Sequence, residues 1–212
     1  MQIKRWMAGL LGKVMAILSG RPDLEPSEPA LAARGKYAPK ENDPLEIKFV
    51  KRFTDSGGFF LFSDLHQEIV NNLVSINLEI KPRAFWSPEP EVQKLLQEAQ
   101  VPIAQLPSDA DVMVTTAEAL VAFTGGIMIT DNQTGGLKAS QFPPVHVALA
   151  KTSQLVDSLS DGMRRINNAT RVQRPQQIIT LKGKLDESVR QASADPNKHR
   201  ELYLLLFEDG TL

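Results

Sequence analysis

Six consecutive apolar residues, Leu202-Tyr203-Leu204-Leu205-Leu206-Phe207, constrain this chain more than any other feature. A strand with one wet face alternates apolar and polar residues; a run apolar on both faces suits an interior strand of a sheet covered on both sides. Such coverage is typical of parallel sheets, whose crossover connections lay helices on the faces. The rest of the chain supplies that alternation. Leu45, Phe49, Val50 and Phe53 line a helix that stops at Ser56-Gly57-Gly58, and Phe59 to Phe62 is an apolar run of strand length. Asp64 is placed to cap a helix carrying Leu65, Ile69, Leu73 and Ile76 on its inner face. Lys81 to Trp86 reads as a further strand, and Pro88-Glu89-Pro90 opens a helix with Val92, Leu95, Leu96 and Ala99. Val101 to Leu106 reads as a short extended piece.

Val112 to Thr115, Ile127 to Thr130 and Val145 to Leu149 are β-branched runs that extend the sheet. Thr152-Ser153 is read as the cap of a helix bearing Leu155, Leu159, Met163 and Ile166, and Gln176 to Leu181 as a late strand. The expected fold is therefore α/β, an open, mainly parallel sheet with helices on both faces. It occupies residues 45–212. Residues 1–19 form an expected amphipathic helix, with Ile3, Trp6, Met7, Leu10, Val14 and Leu18 on one stripe, packing on its own domain or on the mate of a homodimer, with contact to a membrane surface as the alternative. Lys13 interrupts the apolar part, and no small-x-small site follows, which argues against a cleaved signal. Residues 20–44 carry Pro22, Pro26, Pro29, Pro39 and Pro44 and read as an extended linker.

Composition narrows the function. A formal net charge of −1 gives no basic footprint for nucleic acid, and none is expected as a partner. Cysteine is absent, which excludes disulfides, thiolate-held iron–sulfur clusters, cysteine-rich zinc sites and a cysteine nucleophile within this sequence. No metal ligand set is assigned, and a reducing cytoplasm is the expected compartment.

Chemically rich residues gather between Ser108 and Ala150. Ala117 to Phe123 reads as a short helix that Thr115 or Thr116 caps and that stops at Thr124-Gly125-Gly126. A threonine beside two glycines can turn successive backbone N–H groups toward an anion; the plainer alternative is a glycine-terminated helix. After the turn at Gly135-Gly136, Lys138 and Ser140 offer a cation and a hydroxyl to a carboxylate or phosphate, or else are solvated loop residues. His146 lies two residues past Pro143-Pro144 in an apolar strand, where a core histidine is the plainer reading and a lining residue the functional one. Thr124, Gly125, Gly126, Lys138, Ser140 and His146 are the candidate ligand-binding set. No catalytic residue is assigned.

The stretch Ala110 to Ile127, ADVMVTTAEALVAFTGGI, resembles the signature of the LUD domain, the family of lactate-utilisation protein C, matching at Ala110, Asp111, Thr115, Ala117, Ala122, Thr124 and Gly125. Leu137-Lys138-Ala139-Ser140 with Pro143-Pro144-Val145-His146 is similar to that family's basic-x-Ser…Pro-Pro-x-His segment. The resemblance implies a fold similar to the sugar-phosphate isomerase and CoA-transferase superfamily. It also implies a non-cluster component or accessory factor of L-lactate oxidation to pyruvate, with iron–sulfur clusters carried only by partner proteins. Two departures stand out. Phe123 occupies a position where the family carries glutamate, here expected as a buried ring. The C-terminal family motifs are replaced by Ile179 to Glu187 and Asn197-Lys198-His199. Two rival functions follow: a degenerate interaction module on the same fold without a ligand, and an independent enzyme acting on phosphate- or CoA-type small molecules.

Overall fold

A computed structural model describes residues 39–169, 174–183 and 200–211. The expected N-terminal helix and most of the linker lie outside the described residues, as do Lys184 to Glu187 and Asn197 to His199. The first described helix, α1 (Leu45–Asp55), begins where the sequence places it and ends at Ser56, with Gly57 at φ +83°.

Five parallel strands form the main sheet. They are β1 (Phe59–Ser63), β2 (Phe85–Trp86), β3 (Val112–Thr116), β6 (Val145–Lys151) and β9 (Glu201–Phe207), in the spatial order β1-β9-β6-β3-β2. The apolar run at 202–207 lies between β1 and β6, buried along its whole length, as an interior parallel strand must be. One face carries Val112, Val114, Val145, Val147, Tyr203 and Leu205 into a core with α2 (His66–Ile80) and α3 (Pro90–Glu98). The side chains on the other face, Met113, Ala148, Leu202 and Leu204 among them, are equally buried but stand outside that core. Truncating one of these, Leu204→Ala for instance, removes roughly 2–5 kcal/mol through lost transfer energy and the cavity left behind.

That second face is where the structure departs from expectation. The residues Ala117 to Phe123 do not form a helix. Ala119 to Val121 are β4 (Ala119–Val121), which pairs antiparallel with β5 (Gly126–Thr130) and parallel with β7 (Leu155–Val156). With β8 (Ile178–Leu181) on β5 they make a separate four-stranded sheet, so Ile127 to Thr130 extends this sheet and not the main one. Ala119, Val121 and Met128 share a small core of their own with Ile166 of α5 (Leu159–Ala169). The expectation of helices on both faces holds, α1 standing apart from the α2–α3 core, but this small sheet shares its side.

Smaller corrections have local causes. Asp64 is not the cap of α2: Leu65 holds that place, and the Glu68 carboxylate accepts from the Asp64 and Leu65 amides at 2.7 and 3.4 Å. Leu65 itself is exposed. The strand expected from Lys81 shortens to Phe85–Trp86, since Lys81 takes a left-handed turn at φ 51°. Val101 to Leu106 keeps a single parallel bridge, Ile103 to Phe85. Thr152 to Gln154 is one 3-10 turn, Leu155 is in β7, and α5 starts only at Leu159, with the Ser158 hydroxyl accepting from the Asp161 amide at 3.2 Å. Among the described residues no helix is long and apolar enough to cross a membrane.

Candidate functional site

At the end of β5 the chain folds into α4 (Asp131–Thr134), a four-residue helix. Gln133 locks it: its Oε1 accepts from the Thr130 amide and hydroxyl at 2.8 and 2.6 Å. Gly135 and Gly136 then take φ +61° and +79°, the left-handed turn that glycine makes without strain. The 3-10 turn Ala139–Gln141 follows, closed by Lys138 donating its amide to Gln141 Oε1 at 2.9 Å. Asp131 faces it and accepts from the Gln176 and Gln177 amides at 3.2 and 3.5 Å. These pieces enclose a cleft of about 550 Å³ lined by Asp131, Lys138, Ala139, Ser140, Gln176 and Gln177. Two of the six candidate residues, Lys138 and Ser140, therefore meet in one cleft. Around this space stand one ammonium, one hydroxyl, two side-chain amides and the Asp131 carboxylate, a mixed-charge lining of a size that small ligands fill.

Thr124, Gly125 and Gly126 stand elsewhere, at the tip of the β4–β5 hairpin, separated from the cleft by the length of β5, on the order of 15 Å. Their amides are taken inside the protein. Thr124 and Gly125 both donate to the Val121 carbonyl, at 3.2 and 2.8 Å, and Gly126 donates to Thr124 Oγ1 at 3.2 Å. The turn is shaped by packing against α1. Gly125 has φ +65°, and a Cβ there would stand 2.6 Å from the Phe53 nitrogen and 2.7 Å from the Arg52 carbonyl carbon. Arg52 completes the junction by donating to the Ala122 carbonyl at 2.8 Å. The expected buried ring at Phe123 is instead 67% exposed, with the Arg52 guanidinium 5.2 Å from its centroid.

His146 is fully buried in β6 and also stays out of the cleft lining. Its Nε2 shares a 2.8 Å hydrogen bond with Thr115 Oγ1, a hydroxyl where a carbonyl is expected for a core histidine, while Nδ1 has no partner among the described residues. The Phe142 ring meets it edge-on at 5.7 Å. Burial, reinforced by the Arg200 charge, holds its pKa down at about 3, so the ring is neutral at physiological pH and cannot serve there as a proton donor of the imidazolium kind.

A polar group that the sequence reading passed over lies at the carboxyl ends of β2 and β3. Glu89, the N-cap of α3, accepts from the Thr116 amide at 2.7 Å and from its hydroxyl at 2.5 Å. Two residues on, Glu118 Oε1 accepts from Gln133 Nε2 at 2.5 Å, which ties this group to α4 and the cleft behind it. After β2 the chain climbs onto the α2–α3 face, and after β3 it leaves into the small sheet. Neighbouring strands whose connections part to opposite faces open the crevice where α/β sheets bind ligands. Burial pushes the Glu89 carboxyl above its ordinary value, against the Thr116 hydrogen bonds and with help from the Glu118 and Glu91 charges. Pro88-Glu89-Pro90 was the available signal, because a carboxylate between two prolines is held at a helix entrance.

A model of the LUD domain matches residues 55–197, about two thirds of the chain. The chain belongs to the LUD domain family. The fold agrees with the crystal structure of a DUF162 family protein from Deinococcus radiodurans, at 18% sequence identity and a TM-score of 0.54, covering 80% of this chain and 99% of that one. None of the curated proteins matches. Within this LUD domain the signature Ala110 to Ile127 spans β3, the Thr116–Glu118 link, β4 and the hairpin turn, while the basic-x-Ser segment supplies the cleft.

Proposed function

We propose that this LUD-domain protein serves the oxidation of L-lactate to pyruvate, in the cytoplasm, as a component without clusters of its own that holds the small carboxylate in the Lys138–Ser140 cleft. The observation that carries this reading is the cleft, which brings the basic and hydroxyl residues of the family's basic-x-Ser segment to one space. The reaction releases two electrons and two protons. A chain without cysteine has no thiolate to hold an iron–sulfur cluster, so the electrons pass to iron–sulfur partner proteins. Lys138 pairs with the carboxylate, and Ser140 bonds a carboxylate or carbonyl oxygen.

Calorimetry with L-lactate and pyruvate tests the reading, with Lys138→Ala and Ser140→Ala expected to weaken binding by roughly 10-fold or more, the worth of a charged hydrogen bond. A deletion strain is expected to lose growth on L-lactate, and tagged protein to retain iron–sulfur partners. Unimpaired growth on L-lactate would overturn the assignment. A second reading, an interaction module without a ligand, is favoured by the closed hairpin turn and the exposed Phe123. Absence of heat with L-lactate, pyruvate, nucleotides and acyl-CoA compounds alike would select it.

A further inference from the structure

The cleft wall that carries Lys138 and Ser140 is a single 3-10 turn, and its internal bonds are few: Gln141 donates to the Lys138 carbonyl at 2.8 Å and Phe142 to the Ala139 carbonyl at 3.4 Å. Three residues of 3-10 helix do not hold a fixed place by themselves. What anchors this one comes from a distant part of the sequence. Arg200, at the entrance to β9, is 6% exposed; its Nε donates to the Pro143 carbonyl at 2.9 Å and its Nη2 to the Ala139 carbonyl at 2.8 Å. The guanidinium also lies 5.0 Å from the centroid of Phe142, a buried ring that in turn packs on His146. Directly after it, Glu201 donates its amide to the Pro144 carbonyl at 3.1 Å, so the end of the turn is stitched to the start of β9.

We propose that Arg200 is the positioning residue of the cleft: its two-pronged hold on the Ala139 and Pro143 carbonyls sets the turn that presents Lys138 and Ser140 to an anionic ligand. The proposal rests on the ligand reading of the cleft given above. A planar fork suits the task because its donors diverge at fixed angles and span two carbonyls four residues apart, which an ammonium on a flexible stem does not do at once. Burying the charge is tolerated because the carbonyls replace part of its hydration, and the aromatic face beneath supplies more. Arg200 is not among the residues lining the cleft and reaches it through the Ala139 carbonyl, so its effect passes through the turn.

Two variants of the full chain test this, Arg200→Gln and Arg200→Lys, each read by amide hydrogen exchange across residues 139–142 and by calorimetry with L-lactate and pyruvate. Both readings are taken below the melting transition of each variant, so that only folded molecules report. Arg200→Gln is expected to speed exchange of the turn by about 10-fold or more and to weaken binding in step, while exchange in β3 and β6 stays as in the wild type. Arg200→Lys keeps the charge and loses the fork, and it is expected to recover no more than a minor share of either effect. Lys138→Ala is the control: it weakens binding and leaves exchange of the turn alone.

Unchanged exchange at 139–142 in a folded Arg200→Gln protein overturns the proposal. Full rescue by Arg200→Lys also overturns it, because charge and not the fork would then be the cause. If the wild-type chain gives no heat with either acid, the ligand reading fails and the claim that the ordered turn serves binding fails with it. In that case faster exchange in Arg200→Gln would still show what orders the turn, which keeps the two failures apart.

Discussion

Gly125→Ala and Gly136→Ala make a matched pair, since both glycines have positive φ but only one is crowded. At Gly136, with φ +79°, a new Cβ meets nothing within 4 Å, so the substitution carries only the left-handed strain of an L-residue, about 1–2 kcal/mol. Gly125, at φ +65°, carries the same strain, and its Cβ also meets the Phe53 nitrogen at 2.6 Å, the Arg52 carbonyl carbon at 2.7 Å and Arg52 Cβ at 2.9 Å. Two of those three atoms are backbone of α1, which can retreat only by moving the helix. Overpacking of that kind adds about 1–3 kcal/mol. The expected totals are roughly 1–2 kcal/mol for Gly136→Ala and 2–5 kcal/mol for Gly125→Ala, each kcal/mol lowering Tm by about 2–4 °C in a domain of this size. Urea titrations at 25 °C followed by far-UV circular dichroism measure the difference, and thermal melts check it. Equal losses in the two variants would refute the claim that the close approach to α1 is what demands glycine at the hairpin tip. A Gly125→Ala protein that folds as stably as the wild type yet no longer binds L-lactate would refute it more sharply, by returning the turn to a ligand-binding role.

Glu89→Gln tests the buried carboxyl. Its folded pKa is raised above the ordinary value of 4.5, so its contribution to stability is fully present below that value and is lost as pH rises through the folded pKa. The variant is therefore expected to match or exceed the wild type in urea midpoint at pH 8 and to lose that standing at pH 4; the opposite order would be inconsistent with a burial-driven shift. His146 has the reverse profile: its folded pKa lies at about 3, below the ordinary 6.5, so the unfolded chain takes up the proton first. Stability should fall with pH below about 6.5, by up to about 1.4 kcal/mol per unit from this group, and His146→Phe should flatten that part of the profile. Phe123→Ser should cost no more than about 1 kcal/mol, since the ring is exposed and its contact with Arg52 is of the weak surface kind; a loss of 3 kcal/mol in a urea titration would show a buried role.

How much of this was legible in the sequence follows from where each signal resides. The strand at 202–207 and the helices carrying Phe49 and Phe53 or Leu95 and Leu96 declare themselves because their burial is written in adjacent or periodic apolar residues. Residues 117–123 misled for the opposite reason. Alanine, glutamate and leucine favour a helix locally, and the strand conformation of Ala119 to Val121 comes from β5 and β7 on either side, with their hydrogen bonds and packing. In the candidate site, Lys138 and Ser140 were readable from a local motif. Arg200 was not, because its partner stands 57 residues away along the chain, and Pro88-Glu89-Pro90 marks a carboxylate at a helix entrance without showing that it meets Thr116, 27 residues on. Fixed spacing carries no trace of such pairs.

The position of β9 also bears on how the protein is made. β1, near the beginning of the described chain, pairs with no other named strand, and β9 bonds it from Phe59–Tyr203 to Ser63–Phe207. While a ribosome has yet to deliver residues 201–207, that first strand has no bonded neighbour in the main sheet, and both edges meant to receive the missing strand stand open. Closure across so long a stretch is slow relative to helix formation, so the nascent protein carries open strand edges, the kind that pair with other chains, until β9 joins the sheet.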